Sequence, residues 1–251
     1  MGKAWGIRMT EVFVQSAGAK IWTISQGTGI PVVLCNGGPG CCDYLKPVAR
    51  MIDDLSLVIR FEQRGCGRSD QLGPYDIGTC IEDLESIRKY YQIPRWIIGG
   101  HSYGPELALA YALTYPANVL GMIGIAGGIV HKDIAWSEQY KRLQEQETVP
   151  PMLYPPNLEV NAQIGESWKQ YVRNPRLLRQ IADLAIPALF VYGGNDIRPS
   201  WPVEQLANLL PNGQFVVVRD APHAIWVDHG AELKRILRGF VAQIASKGEG
   251  E

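Results

Sequence analysis

The pentapeptide Gly100–Gly104, Gly-His-Ser-Tyr-Gly, is the part of the chain whose residue types and spacing best fit chemistry. It follows a strand-like run, 96–98, and precedes a helix-like run, 106–110. In that setting a G-x-S-x-G sequence predicts a sharp strand-to-helix turn that presents a serine hydroxyl away from its own backbone. The start of the following helix would add free N–H groups and the positive end of a helix dipole. The pattern therefore predicts that Ser102 is a nucleophile.

A serine hydroxyl needs a neighbouring base to act as a nucleophile at neutral pH. The chain has four histidines: His101, His131, His223 and His229. His223 follows the last strand-like run, 215–218, and loops in that position lie at the carboxyl edge of a parallel sheet, where ligands bind. We therefore predict that His223 is the base, with His229 a distant second. His101 adjoins the serine, so its side chain should leave the turn in another direction, and His131 is interpreted as an ordinary surface or core residue.

The base needs a carboxylate that fixes its tautomer and stabilises the imidazolium. Asp196 stands just past the end of a strand-like run, 187–192, and is the predicted partner of His223. Asp220 and Asp228 flank His223 and are the alternatives, although aspartates in such places are more often turn or cap residues.

Acyl transfer also needs backbone donors for the oxyanion that forms when a carbonyl is attacked. The N–H of Tyr103, directly after the predicted nucleophile, is one candidate. The other is the N–H of Gly38, in the glycine-rich segment 36–40. Cys41 and Cys42 adjoin this segment; we interpret them as small residues that fill a tight turn, and a position at the edge of the site is the alternative.

The elements that must position these residues alternate along the chain. Strand-like runs occur at 11–15, 20–25, 31–35, 55–61, 96–98, 119–126, 187–192 and 215–218. The first two read as a hairpin, and the continuous apolar runs that follow are typical of strands buried on both faces. Helical patterns lie between them, at 201–210, at 231–245 and after a capping box at 79–82. The alternation predicts an α/β fold: a mostly parallel, twisted sheet of about eight strands, flanked by helices.

One segment, 128–183, interrupts the alternation. It contains no strand-like run and is rich in aromatic residues and proline. We interpret it as a small helical lid inserted between two parts of the core, 1–127 and 184–251, and a long connection without a role at the site is the alternative. Its candidate substrate-binding residues are Trp136, Trp168 and Glu166.

The composition fits an ordinary globular domain. The 251 residues are 46% hydrophobic and 20% charged, and the formal net charge is −1. This balance gives no electrostatic basis for binding nucleic acid or an anionic membrane, and no apolar stretch has the roughly 18 residues that a membrane span needs. The predicted partner is a small-molecule or short-peptide substrate, and no cofactor or metal is predicted.

The N-terminus and the cysteines favour a cytoplasmic protein. The first residues lack the apolar segment of a secretory signal, and Met9 is an alternative start that would make residues 1–8 a dispensable arm. The five cysteines are an odd number without a C-x-x-C spacing, so we expect reduced thiols rather than a disulfide framework.

Three motifs together resemble the proline iminopeptidase branch of the α/β-hydrolase superfamily. They are Asn-Gly-Gly-Pro-Gly at 36–40, Glu-Gln-Arg-Gly-Cys-Gly-Arg-Ser at 62–69, and the serine pentapeptide at 100–104. The branch has histidine first in the first motif and aspartate first in the second, so Asn36 and Glu62 are departures, which we interpret as affecting loop geometry only. The order serine, aspartate, histidine along the chain is also that of α/β-hydrolases.

The resemblance implies a hydrolase with a Ser-His-Asp triad and an acyl-enzyme intermediate, most closely an aminopeptidase that removes N-terminal proline from short peptides or amides. The branch binds the substrate's α-amino group through glutamates of a larger cap. The acids of segment 128–183 align with no such pattern and are interpreted as solvated helix faces, with an amino-group pocket among them as the alternative: Asp133, Glu138, Glu145, Glu147, Glu159 and Glu166. A carboxylesterase, thioesterase or lactonase for a small ester is the alternative, and a non-catalytic binding module of the same fold is a remote one.

Overall fold

A computed structural model describes residues 9–147 and 149–248; the expected N-terminal arm, residues 1–8, lies outside the described residues. The strands are β1 (Thr10–Ser16), β2 (Ala19–Gln26), β3 (Ile30–Cys35), β4 (Ser56–Phe61), β5 (Trp96–His101), β6 (Val119–Ile125), β7 (Ala188–Gly193) and β8 (Gly213–Val218). They form one sheet in the order β1-β2-β4-β3-β5-β6-β7-β8. β2 pairs antiparallel with β1 and with β4, whereas all later pairs are parallel. The predicted α/β fold with a mostly parallel eight-stranded sheet is confirmed.

Helices follow most of the strands. They are α1 (Lys46–Ala49), α2 (Ile77–Tyr90), α3 (Gly104–Thr114), α4 (Ile134–Leu143), α5 (Leu158–Tyr171), α6 (Leu177–Ala182), α7 (Trp201–Leu209) and α8 (Gly230–Gly248). The predicted capping box at 79–82 is wrong. α2 begins three residues earlier than a cap at Thr79 would allow, because the carboxylate of Asp76 accepts the N–H of Thr79 at 2.7 Å and so caps the helix.

The core lies on both faces of the sheet, because successive side chains of a strand point to opposite sides. Val33, Ile59 and Ile98 are buried on one face. Their chain neighbours Val32, Val58 and Ile97 are buried on the other. This double burial explains the continuous apolar runs of the sequence. Among residues 9–147 and 149–248, no helix combines the length and apolar character that a membrane crossing requires.

Segment 128–183 contains α4, α5, α6 and a short 3-10 turn, with no strand among its described residues. Val160 and Ile164 of α5 are fully buried, so this helix packs into the core rather than standing apart from it. The start of α5 is also tied to the glycine-rich loop after β3. The N–H of Asn157 donates to the carbonyl of Gly40 at 2.9 Å, and the side-chain amide of Asn161 donates to the carbonyl of Pro39 at 2.7 Å.

Candidate active site

Ser102 occupies a sharp turn between β5 and α3. Its φ of 58° lies in the left-handed region that non-glycine residues rarely adopt, and its N–H donates to the carbonyl of Ile125 at 2.9 Å. Gly100 and Gly104 let the turn pack against β3, because a Cβ at either position would lie 2.1 or 2.2 Å from the carbonyl oxygen of Cys35. The strand–turn–helix geometry expected of the G-x-S-x-G sequence is therefore present.

His223 and Asp196 form a short, buried pair. Nδ1 of His223 lies 2.5 Å from Oδ2 of Asp196, whose side chain is 0% exposed. Oδ1 of Asp196 accepts the backbone N–H of Arg198 at 3.0 Å. Burial alone would raise the pKa of Asp196, but the His223 hydrogen bond and the Arg198 charge hold that pKa below its ordinary value. Asp196 is thus a carboxylate that can fix the imidazole tautomer and stabilise an imidazolium.

The alternative residues lie elsewhere. The side chain of Asp220 is 69% exposed and contacts the neighbouring Arg219. Asp228 is exposed as well. Among the described residues, His229 lines neither of the two cavities at Ser102.

Two cavities meet at Ser102, with volumes of about 660 and 130 Å³. Ser102 and Gly38 line both of them, Tyr103 lines the larger, and His223 lines the smaller. The structure therefore brings together the residues that the sequence predicts as nucleophile, base and oxyanion donors.

The walls of the larger cavity include two of the three candidate substrate-binding residues, Trp136 and Trp168. Glu166 is not among the residues that line either cavity. Its side chain is 55% exposed and pairs with Lys169 three residues later. Glu166 therefore lies on a side of α5 that faces away from the larger cavity, although residues of the next helical turn help to line that cavity.

The two predicted oxyanion donors have free amides at this junction. Gly38 has a φ of 113°, a conformation that favours glycine. Tyr103 directly precedes α3, so its N–H belongs to the set of helix-start amides without a partner in the helix. Within the described part of the chain, neither N–H donates to another protein group. Both are thus available to a developing oxyanion.

A chain of hydrogen bonds links the glycine-rich segment 36–40 to the backbone of His223 through His101. The N–H of Gly37 donates to the hydroxyl of Tyr44 at 2.8 Å, and that hydroxyl lies 2.8 Å from Nδ1 of His101. Nε2 of His101 lies 3.1 Å from the carbonyl oxygen of His223. Since burial lowers the pKa of His101 well below its ordinary value, the ring is neutral. Tyr44 then donates to Nδ1, and Nε2–H donates to His223.

The second motif, 62–69, is structural. Glu62 is fully buried and accepts from Nη2 of Arg68 at 2.6 Å and from the N–H of Asp43 at 3.1 Å. Arg64 makes a buried two-pronged contact with Asp83, at 2.7 and 2.6 Å. These contacts fix the loop after β4, which agrees with the interpretation of Glu62 as a residue that affects loop geometry.

Sequence reasoning missed a charged group beside the base. Arg198 is 12% exposed, lines both cavities and donates to Glu147 at 2.6 Å. Glu147 was expected on a solvated helix face, but its carboxylate is largely buried and lies 3.9 Å from Nε2 of His223. Ion pairs between distant parts of a chain leave no local pattern, so no signal in the sequence identifies this one.

Glu106 is a second residue that the sequence did not single out. It is 7% exposed, lines the larger cavity, and accepts the N–H groups of Gly128 at 3.2 Å and Ile129 at 3.0 Å. Burial raises its pKa to about 7, although these amides oppose the shift. The available signal was a single acid at the start of an otherwise apolar helix. His131, interpreted as an ordinary residue, also lines the larger cavity.

The two adjacent cysteines differ in position. Cys41 lines the smaller cavity, as the alternative interpretation allowed, whereas Cys42 is fully buried. Burial raises the pKa of Cys41 to about 11, so its thiol is protonated at neutral pH.

Comparison with known proteins defines the class. Residues 30–147 match the family model described as the alpha/beta hydrolase fold. An esterase of Thermogutta terrifontis superposes with a TM-score of 0.78 at 20% identity, over 94% of this chain and 99% of that chain. The proline iminopeptidase of Mycobacterium smegmatis superposes with a TM-score of 0.74 at 16% identity, over 95% and 100%. The chain has the alpha/beta hydrolase fold.

Within that class, sequence similarity points to one branch. A proline iminopeptidase of Neisseria gonorrhoeae is 34% identical over 104 residues, which are 38% of this chain and 32% of that protein. One from Saccharolobus solfataricus is 38% identical over 107 residues, 41% and 34% of the two proteins. The resemblance to the proline iminopeptidase branch is confirmed, and this chain matches about a third of the length of these curated relatives.

Proposed function

We propose that the protein is a serine hydrolase that cleaves carboxylic esters or amides through an acyl-enzyme intermediate. The observation that carries the proposal is the placement of a left-handed Ser102 beside a cavity lined by His223, whose Nδ1 contacts the buried Asp196 at 2.5 Å. A serine on such a turn, a base and an orienting acid are the three parts that activate a hydroxyl nucleophile.

In the proposed reaction Oγ of Ser102 attacks the substrate carbonyl while His223 accepts its proton. The N–H groups of Gly38 and Tyr103 stabilise the tetrahedral oxyanion. His223 then protonates the leaving group, and the carbonyl–leaving-group bond breaks. A water molecule deprotonated by the same histidine releases the acid and restores Ser102.

The charges around His223 support this cycle. Asp196 lies against Nδ1, and Glu147 lies 3.9 Å from Nε2. Both carboxylates therefore lie next to the ring that becomes an imidazolium after proton transfer. Arg198 contacts both acids, at 3.4 and 2.6 Å, and so offsets the cost of holding two buried carboxylates near one another.

Segment 128–183 is proposed to be a lid between core parts 1–127 and 184–251. Its two tryptophans, Trp136 and Trp168, line the larger cavity. A lid of this kind excludes water and shapes the substrate site.

Proline iminopeptidase activity is the second candidate. The relatives of that name favour it, and so does Glu106, a buried carboxylate in the larger cavity that could bind an α-amino group. The two candidates share one mechanism and differ in the substrate that the cavities accept.

The test is kcat/KM for p-nitrophenyl acetate and for L-proline β-naphthylamide, with wild type, Ser102→Ala and Ser137→Ala. Ser137 lies on α4 and lines neither cavity, so its variant is a matched control. We expect Ser102→Ala to abolish all turnover and Ser137→Ala to retain it. Turnover that survives in Ser102→Ala would contradict the proposal, and a higher kcat/KM for the proline amide would favour the second candidate.

A further inference from the structure

The two cavities at Ser102 have different walls, and the predicted base lines only one of them. Gly38, Ser102 and Arg198 line both cavities. Among the described residues, His223 lines the cavity of about 130 Å³ but not the cavity of about 660 Å³. The donor Tyr103 lines the larger one. The base and one oxyanion donor thus face different cavities.

This difference indicates which cavity holds the acyl group of a substrate and which holds its leaving group. A general acid must lie within hydrogen-bond reach of the atom that it protonates, so the leaving group must lie on the side of Ser102 where His223 stands. The acyl group then occupies the other side. Resting on the proposed function, we infer that the site accepts substrates with a bulky acyl group and a small leaving group, such as methyl or ethyl esters or a primary amide.

The volumes agree with this assignment. Cavities that hold drug-sized ligands measure about 300–1,000 Å³. The larger cavity, at about 660 Å³, is within that range, and the smaller one, at about 130 Å³, is well below it. The smaller cavity suits a few heavy atoms, whereas the larger one suits an acyl chain with a ring.

The larger cavity offers fixed aromatic walls. The indole N–H of Trp136 donates to the carbonyl of Pro199 at 2.9 Å, and that of Trp168 donates to the carbonyl of Ile129 at 3.3 Å. Since both polar N–H groups have protein partners, the rings present apolar surface to the cavity. These two faces favour an apolar or aromatic segment in the acyl group, next to the charged side chains of Glu106 and Arg198 that line the same cavity.

Two wall residues of the smaller cavity lie at or near fixed contacts. Its walls include Glu147 and Met152. Glu147 is held by Arg198 at 2.6 Å. Just beyond Met152, the N–H and carbonyl of Tyr154 each lie 3.4 Å from Sγ of Cys42. These contacts hold Glu147 and the backbone next to Met152 in place at the smaller cavity.

A proline iminopeptidase requires the opposite distribution of size, because its acyl group is one proline residue and its leaving group is a peptide. The inferred assignment therefore opposes the second candidate function and favours an esterase or amidase that acts on a bulky acyl group.

A pair of isomeric esters tests the assignment without changing size or polarity. Methyl 4-phenylbutanoate has the phenyl chain on the acyl side, and 3-phenylpropyl acetate has it on the alcohol side. In the favoured reaction the bond from Oγ of Ser102 to the acyl carbon forms, the carbon–methoxy bond breaks, and His223 passes the serine proton to the methoxide, which leaves as methanol. We expect kcat/KM for the methyl ester to exceed that for its isomer by about tenfold or more.

Two variants connect the preference to the cavities. Gly165 of α5 lines the larger cavity, and nothing lies within 4 Å of a Cβ added there. Gly165→Phe should therefore fill this cavity and lower kcat/KM for methyl 4-phenylbutanoate relative to methyl acetate by about tenfold. Gly239→Phe is the matched control, since Gly239 is an exposed helical glycine of α8 with equal free space and no part in either cavity. Met152→Ala should enlarge the smaller cavity and raise kcat/KM for 3-phenylpropyl acetate.

A fluorophosphonate probe distinguishes failure of the serine hydrolase proposal from failure of the cavity assignment. If the probe does not label Ser102, the proposed function itself fails. If Ser102 is labelled but the enzyme prefers 3-phenylpropyl acetate, treats the isomers alike or hydrolyses neither, the inference is overturned while the serine hydrolase proposal stands.

Discussion

Replacing Asp196 by asparagine should leave the protein folded and remove most of its activity. In the wild type, Oδ2 of Asp196 accepts Nδ1–H of His223 at 2.5 Å, which leaves Nε2 free to accept a proton. An asparagine amide can donate to Nδ1 instead, and the imidazole then carries its proton on Nε2, where it cannot act as a base. In an analogous triad, the same substitution removes the carboxylate charge and the correct histidine tautomer, and it lowers kcat by about 10⁴-fold. At 1.36 kcal/mol per tenfold, this is about 5.4 kcal/mol of transition-state stabilisation.

The stability cost should be smaller than the catalytic one. Asp196 makes charged hydrogen bonds with His223 and with the N–H of Arg198, and hydrogen bonds to charged groups contribute about 1.5–3 kcal/mol each. Because asparagine retains one carbonyl oxygen, we expect the free energy of unfolding to fall by about 2 kcal/mol. Urea denaturation and kcat for p-nitrophenyl acetate give the two values.

Asp220→Asn is the matched control. Asp220 is the rival acid of the sequence analysis, and its side chain is 69% exposed. Its φ of 59° is one that asparagine tolerates. We expect this variant to keep wild-type kcat. If Asp196→Asn keeps kcat within about threefold of wild type, or if Asp220→Asn loses it, the assignment of the orienting acid is wrong.

Three further predictions concern the surroundings of the site. The pKa of Glu106 rises from 4.5 to about 7 on folding, so between these pH values the native state binds a proton that the unfolded state has released. Relative to Glu106→Gln, the wild type should therefore lose up to about 3 kcal/mol of unfolding free energy as the pH rises from 5 to 8, measured by urea titration. Tyr44→Phe removes the hydroxyl that links Gly37 to His101, and we expect the free energy of unfolding to fall by about 1–3 kcal/mol. Arg64→Met leaves the buried Asp83 unpaired, which should cost about 3–5 kcal/mol.

Each of these predictions has an outcome that would contradict it. A pH-independent difference between wild type and Glu106→Gln would show that this carboxyl does not titrate in that range. An unchanged urea midpoint in Tyr44→Phe would mean that its hydroxyl is not an essential link. For Arg64→Met the comparison is Arg179→Met, whose exposed partner is Asp183; exposed pairs contribute about 0–1 kcal/mol, so equal losses would contradict the prediction.

The sequence predicts the scaffold well because its signals are local. Strands buried on both faces appear as continuous apolar runs, such as 31–35 and 119–126, and the structure has β3 and β6 there. The turn at Ser102 follows from two glycines at fixed spacing. The capping box at 79–82 is wrong for a local reason too, since Asp76, three residues before Thr79, is an equally good cap and is the one that begins the helix.

The surroundings of the candidate site are harder to predict because they depend on long-range contacts. Arg198 and Glu147 are 51 residues apart in sequence and meet only when segment 128–183 folds onto the core. The placement of Glu106 in the larger cavity likewise depends on the path of the chain after β6. The division into two cavities of unequal size has no counterpart in any motif, so the substrate preference requires a structure.

The most direct test of the central claim is the site of covalent labelling by a fluorophosphonate probe. The protein is incubated with the probe, digested and analysed by mass spectrometry, beside Ser102→Ala and Asp220→Asn. The account predicts one phosphonylated residue, Ser102, with labelling lost in Ser102→Ala and kept in Asp220→Asn. Absence of an adduct on the wild type, or an adduct on another residue that persists in Ser102→Ala, would contradict the claim that Ser102 is the activated nucleophile.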